Sequence, residues 1–349
     1  MKLRVGLVGL GDHWQSRHRP ALHALSDRFE VKAICCEIYK RSEQAAREFN
    51  AIPMDGFRAM VERDDIDAVL AFSPDWVGPL PIVAACEAGK SVFCSAALDI
   101  STDHVDEVHQ RVDRSGVAFM AELPKRYAPA TIRLKELIAT RLGPPRLMFC
   151  HERMPAEAQS NRLRRGEYTP LVWRHLMESI DWCSYLVGRP PTSVISSLHE
   201  EHTANRDAFY QMLNLEFPPE SGSEIPVMSQ LSVGHYIPER WPDALGFRRP
   251  ASIQICCERG VAFVDLPSTV IWFDEAGQHT ESLESDSPVG EQMLRTFYRA
   301  VTSLIRRSSD LVDTYRAMRV VLAANESVRT GARQHLDWGQ PAHSDRNSG

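Results

Sequence analysis

Two stretches of the chain hold residue types at spacings that could do chemistry. In the first, an apolar run (Leu3, Val5, Leu7, Val8) breaks into Gly9-Leu10-Gly11, and Asp12-His13-Trp14 leads into a helical pattern. A second apolar run, Val31 to Cys36, ends in Glu37, 26 residues past Gly11. A turn without side chains lets backbone N–H groups approach a pyrophosphate, and a helix N-terminus beyond it adds partial positive charge. An acid at the end of the second strand can accept hydrogen bonds from an adenosine ribose. Strand, glycine turn, helix, strand and acid together point to dinucleotide binding through Gly9, Gly11, Asp12, His13 and Glu37. Glu37 would repel a 2′-phosphate and so favours NAD, although Lys40 and Arg41 lie just beyond it and could accommodate NADP. Arg41 either stacks on the adenine or faces solvent. Trp14 falls where a third glycine is expected, so either the loop is longer here or the indole points toward the ligand.

The second stretch lies in a helical pattern over 171–187. Leu176, Ile180, Cys183 and Val187 make its apolar stripe. Arg174, Glu178, Asp181 and Tyr185 recur at i, i+4, i+7 and i+11 along the opposite face. Glu178 or Asp181 there could give or take a proton while Arg174 anchors an anionic substrate. The same spacing also suits a solvated face with an Arg174–Glu178 pair worth a few tenths of a kcal/mol. Upstream, Tyr127 follows Lys125 and Arg126. A nearby cation could make its hydroxyl a proton donor, or the ring is ordinary core or surface. Arg126 and Trp173 are further candidates for substrate contact. His175 points about 100° away from Arg174 around the helix and reads as a packing or surface residue. His199-Glu200-Glu201-His202 is not the H-E-x-x-H pattern and follows a strand; it reads as a polar strand end, and no metal is expected.

The elements that must position these groups fall into two sets. Up to about residue 120, strands and helices alternate: helix around 21–25, helix 41–49, buried strand 66–72, helix 81–88 closed by Gly89, strand 91–94, helix 103–115 and strand 117–120. Strict alternation predicts a parallel doubly wound sheet. Beyond about 145 come longer strands (146–154, 193–199, 208–217, 227–236, 252–257 and 261–266), with a hairpin signal at Glu258-Arg259-Gly260. These predict a mostly antiparallel open sheet in an α+β domain, with the 171–187 helix and two more at 289–306 and 311–330. The expected organisation is a dinucleotide-binding Rossmann domain over 1–122, a substrate and oligomerisation domain over 123–340, and a disordered tail over 341–349.

Composition narrows the function classes. The chain has 349 residues, 43% hydrophobic and 25% charged, and a formal charge of -6. No basic surplus suggests nucleic acid, no apolar run is long enough to span a bilayer, and no signal peptide is read at the start. The eight cysteines form no C-x-x-C and lie mostly in apolar runs. Buried free thiols in a reducing, cytoplasmic compartment are the expectation.

Gly9-Leu10-Gly11 with His18-Arg19-Pro20-Ala21-Leu22, Asp65 to Val69 followed by Ser73-Pro74, and Glu87 to Cys94 resemble the glucose–fructose oxidoreductase / inositol dehydrogenase family, the Gfo/Idh/MocA-like oxidoreductases. So do Lys125-Arg126-Tyr127-Ala128-Pro129 with Leu134 to Ile138, and Ala324 to Gly331. The resemblance implies an NAD(P)-dependent oxidoreductase acting on a small, sugar-like, carbonyl or imine substrate, usually a homodimer or homotetramer joined through the C-terminal sheet. It implies Ser73, Pro74 and Ser95 beside the cofactor and Trp76 near the nicotinamide pocket, or simply packed. Its catalytic residues do not carry over. The Glu-Lys-Pro run after the fourth strand reads Ser95-Ala96-Ala97, and the Asp-x-x-x-His pair reads Arg174 and Glu178; downstream, Asp181 remains. Two readings follow: an oxidoreductase with a non-standard proton relay, or a catalytically inactive dinucleotide-binding regulatory or scaffolding paralogue. A metal-dependent lyase or hydrolase ranks below both.

Overall fold

The computed structural model describes residues 2–338 except 73–76, 96–101, 156–169, 204–205, 221, 223, 239, 242, 285–286 and 304–308. Six parallel strands form the N-terminal sheet: β1 (Leu3–Val8), β2 (Phe29–Cys35), β3 (Ile52–Met54), β4 (Ala68–Ala71), β5 (Ser91–Ser95) and β6 (Phe119–Glu122), in the order β3-β2-β1-β4-β5-β6. Helices α1 (Arg19–Ala24), α2 (Tyr39–Phe49), α3 (Phe57–Val61), α4 (Leu80–Glu87) and α5 (Thr102–Ser115) connect them. The order reverses between β1 and β4, so the crevice at the carboxyl ends of these strands is where this architecture binds nucleotides. The central strands are buried on both faces, which is why they read as continuous Val/Leu/Ala/Cys runs rather than as alternation. The short β3, with Pro53 at its middle, was not evident in the sequence and makes the strand ending at Ser95 the fifth rather than the fourth.

A 3₁₀ turn, Pro124–Tyr127, and α6 (Pro129–Leu137) carry the chain into a nine-stranded sheet. Its order is β14-β13-β12-β11-β7-β10-β9-β8-β15. The central strands are β7 (Pro145–Pro155), β8 (Ser193–Thr203), β9 (Arg206–Phe217), β10 (Val227–Ile237), β11 (Ile253–Cys257) and β12 (Val261–Asp265). β13 (Thr269–Asp274), β14 (Gly277–Ser282) and the two-residue β15 (Gln334–His335) complete it. Among the described residues only β7 and β10 pair in parallel, so the expected mostly antiparallel sheet is present, and Glu258-Arg259-Gly260 turns β11 into β12. His199 to His202 lie within β8, paired with β9, rather than after a strand.

One face of this sheet is covered by α7 (Pro170–Val187) and α10 (Ser309–Thr330), while a single turn, α8 (Asp243–Gly246), lies near β7. Helix α9 (Val289–Thr302) packs back on the N-terminal domain, placing Met293, Leu294 and Phe297 in the same core as Leu3, Val5 and Leu7. All eight cysteines are free, and six are buried. Among the described residues no helix is long and apolar enough to cross a membrane. The 341–349 tail lies outside the described residues.

Candidate active site

The glycine turn is shaped by its own packing. Gly9 and Gly11 have φ of +69° and +63°, the left-handed region that side chains disfavour. A Cβ on Gly11 would sit 2.3 Å from the Phe72 carbonyl oxygen, beyond β4. Any larger residue would therefore push apart the two strand exits that form the crevice. The bend presents bare backbone where a dinucleotide's diphosphate would lie, so these residues fit such a cofactor. The loop is longer than a standard dinucleotide turn: a wide π-turn, Trp14–His18, precedes α1. Trp14 is 3% exposed and its ring packs 5.9 Å from Phe49 and 6.3 Å from Phe72. Of the two alternatives for Trp14, the structure has the longer loop, and the indole is a core residue rather than a cofactor contact.

Asp12 is exposed and His13 half-buried. Burial, and then the Arg17 guanidinium, lower the His13 pKa to about 4, so the ring is neutral at neutral pH. Glu37 stands exposed two residues beyond β2, and Arg41 is exposed on α2. Ser95 is the buried last residue of β5. Ser73, Pro74 and Trp76 lie outside the described residues, as do Ala96 and Ala97.

At the end of β6, Glu122 is 3% exposed and ion-paired to Arg17, with the Nε2 of His18 3.4 Å away. Burial alone would raise its pKa, but His18 and Arg17 outweigh that and hold the carboxyl well below the usual range. His18 in turn stacks on Phe72 at 4.0 Å.

Helix α7 brings the second set of residues to this crevice. Its apolar stripe is buried as expected, but the opposite face is not solvated: Arg174, Glu178 and Asp181 are 5%, 7% and 3% exposed. The Arg174–Glu178 surface pair is therefore set aside. Arg174 Nη1 lies 3.6 Å from Asp12 in the glycine turn, and its buried Nε has no hydrogen-bond partner among the described residues. A buried guanidinium with an open donor, next to a bend that fits a diphosphate, is a ready anion contact.

Glu178, one turn on, accepts no hydrogen bond among the described residues. Its pKa is raised, chiefly by burial, while Lys125 and His175 pull it down and Glu152 and Glu122 push it up. Behind it lies a group that the sequence did not reveal. Glu152 of β7 accepts from Lys125 Nζ at 2.9 Å and contacts His175 Nδ1 at 2.8 Å. Lys125 also donates to Ser179 Oγ at 2.8 Å. Burial works to lower the Lys125 pKa, but Glu152 more than offsets this and the amine stays charged. His175 thus belongs to a polar cluster and is not a mere packing residue. One cue was available. With strand period two, Glu152 shares the inward side of Met148 and Cys150, and a carboxylate on a core face needs partners.

The 3₁₀ turn at 124–127 sends consecutive side chains in different directions. Lys125 reaches Glu152. Arg126 donates to Asp181, with Nε at 2.7 Å from Oδ2, and to Asp313 of α10 at 2.9 Å. The half-buried Tyr127 packs against the N-terminal core. Asp181 and Arg126 are thus engaged with each other, unlike Glu178, and the half-buried Trp173 packs on the larger core.

Residues 3–123 match the family model described as "Oxidoreductase family, NAD-binding Rossmann fold". Over that stretch the chain is similar to the Gfo/Idh/MocA oxidoreductases. Over 118 residues the chain is 30% identical to dTDP-3,4-didehydro-2,6-dideoxy-alpha-D-glucose 3-reductase of Actinomadura kijaniata, a match to 34% of this chain and 35% of that one. Over 214 residues it is 28% identical to inositol 2-dehydrogenase 4 of Saccharopolyspora erythraea, covering 58% and 59% of the two chains. The chain thus spans less than two thirds of the length of these relatives. The aldose–aldose oxidoreductase of Caulobacter crescentus superposes with a TM-score of 0.80 over 96% of this chain and all of that one at 15% identity, which extends the shared fold over both domains.

Proposed function

We propose that this chain is an NAD(P)-dependent oxidoreductase that moves a hydride to or from a small polar, sugar-like substrate, with Glu178 in the proton-transfer role. A bound nicotinamide would supply the hydride; the chain itself must bind, orient and handle one proton. Gly9, Gly11 and Asp12 form the bend for the diphosphate. Glu37, exposed past β2, is the partner for ribose hydroxyls and favours NAD over NADP, with Arg41 nearby. Arg174 anchors an anionic group, and neutral His13 can donate or accept a hydrogen bond beside it.

The observation that carries this reading is the state of Glu178: buried, raised in pKa, and without a hydrogen-bond partner among the described residues. A carboxyl kept from pairing and pushed toward neutrality is what a general acid requires. Lys125, His175 and Glu152 stand behind it as a fixed field. Tyr127, packed against the other core, and Asp181, paired with Arg126, are weaker candidates for the proton. A cytoplasmic setting, and a homodimer or homotetramer formed through the outer face of the nine-stranded sheet, where Leu147 and Phe273 are exposed, complete the reading.

The test is to mix the chain with NADH and a panel of sugars, keto-sugars and imines. Oxidation of NADH that disappears in Glu178→Gln supports the enzyme. The second reading, an inactive dinucleotide-binding paralogue, rests on Ala96, Arg174 and Glu178 standing where the resemblance puts the family's lysine, aspartate and histidine. Tight NADH binding with no turnover on any substrate would favour it.

A further inference from the structure

A second concave site lies between the C-terminal half of α7 and the middle of α10, with a volume of about 260 Å³. Tyr185, on its wall, is eleven residues past Arg174, about 16 Å along the helix from the glycine-turn crevice. Arg126, Lys135, Arg189 and Arg316 line it against two acids, Asp181 and Asp313.

The charges do not balance locally. Arg126 is engaged with both acids. Arg189 turns to Glu220 at 2.6 Å and to the Pro218 carbonyl. Arg316 reaches Asp313 only at 3.6 Å, and that carboxylate is already held by Arg126. Lys135 has no carboxylate within 4 Å among the described residues. Its amine donates to the Tyr185 carbonyl and lies 4.3 Å from the Tyr185 ring centroid. That carbonyl belongs to the last turn of α7, so Lys135 also acts as a helix cap. A cap satisfies a hydrogen bond but does not neutralise the charge, and burial, then Arg126, push the Lys135 pKa down. Two cations without a counter-charge of their own therefore face a hollow whose remaining wall, including Ile180, Pro191 and Val320, is apolar.

We propose that this pocket binds a small organic anion, its carboxylate or phosphate head between Lys135 and Arg316 and its carbon body against the apolar wall. Such a ligand would supply the missing negative charge while burying little polar surface. The site shares no residue with the glycine turn, Arg174 or Glu178, and does not depend on the reading given to them.

The test is calorimetric titration of the full chain with malonate and with inorganic phosphate at constant ionic strength, with glycerol as the neutral control. Saturable binding of at least one anion is expected, the stronger of the two identifying the head group, and none for glycerol. Lys135→Met and Arg316→Gln should each weaken it about tenfold or more, the loss of one charge-assisted hydrogen bond. Arg316 is more than a third exposed, so its variant should fold even if Lys135→Met does not. Arg174→Gln should leave in place the binding event that Lys135→Met and Arg316→Gln weaken. No saturable binding, binding untouched by Arg316→Gln, or binding abolished by Arg174→Gln would each overturn the proposal, the last by assigning the anion to the glycine-turn crevice.

Discussion

Two carboxylates three residues apart on α7 meet opposite fates. Asp181 is gripped by Arg126 through two nitrogens, and Arg126 is held in turn by Asp313 on α10. Glu178 is as deeply buried but has charges around it and no hydrogen bond from any described residue. Both come from one helix face and looked equivalent in sequence. The difference arises from the Pro124–Tyr127 turn, which delivers Arg126 to one carboxylate and directs Lys125 past the other to Glu152. A matched buried charge fastens elements together; an unmatched one remains free to exchange a proton.

The sharpest way to break this comparison is to neutralise each acid. Glu178→Gln should lower turnover about 10²–10⁴-fold, the usual contribution of general acid–base catalysis. It should not destabilise the fold. The folded-state pKa of Glu178 is raised, so the ionised form opposes folding: stability falls as pH climbs from the unfolded pKa through the folded one. The amide mimics the protonated acid and should raise Tm above that window. A variant with full activity, or with a clearly lowered Tm, would remove Glu178 from the proton role. Asp181→Ala should do the reverse. Leaving Arg126 with a buried, half-paired charge costs about 3–5 kcal/mol, measurable by urea denaturation, with NADH affinity unchanged.

Lys125 sharpens the comparison from the other side. Its charge lowers the Glu178 pKa, so Lys125→Met should raise it further. In the direction where Glu178 donates, activity falls as pH rises through that pKa. The falling limb of the pH–rate profile should therefore shift to higher pH in Lys125→Met and stay in place in Lys125→Arg. A limb that does not move in Lys125→Met would uncouple the cluster from the proton donor.

How much of this was legible in the sequence depended on range. The parallel sheet and the antiparallel sheet were written in local periodicity, and Gly9, Gly11 and Glu37 in one strand–turn–helix–strand unit. β3, three residues with a central proline, and β14, with half-exposed or exposed faces, gave little contrast to read. The site itself was half visible. Spacing put Arg174, Glu178 and Asp181 on one face, but not whether that face met water or protein. The partners that separate Glu178 from Asp181 lie 26 to 132 residues away, at Glu152, Lys125, Arg126 and Asp313, and only tertiary packing brings them together. Trp14 misled for a related reason: whether a residue in a turn faces ligand or core depends on Phe49 and Phe72, which local pattern does not place.

The smallest expected effect tests the N-terminal side of the crevice. Glu37 sits exposed beyond β2, where a carboxylate can take two ribose hydroxyls, and water competes for every such bond. The loss on Glu37→Ala should therefore be near the lower end for a charged hydrogen bond, about 1.4 kcal/mol or tenfold in NADH affinity. NADPH should gain instead, because the repulsion of its 2′-phosphate is removed while Lys40 and Arg41 remain nearby. The ratio of the two dissociation constants, measured by fluorescence titration, should then shift toward NADPH by more than the loss for NADH alone. Equal loss for both cofactors would mean that Glu37 acts on the diphosphate bend as a whole. No change in either would take it out of the ribose site, and with it the preference for NAD.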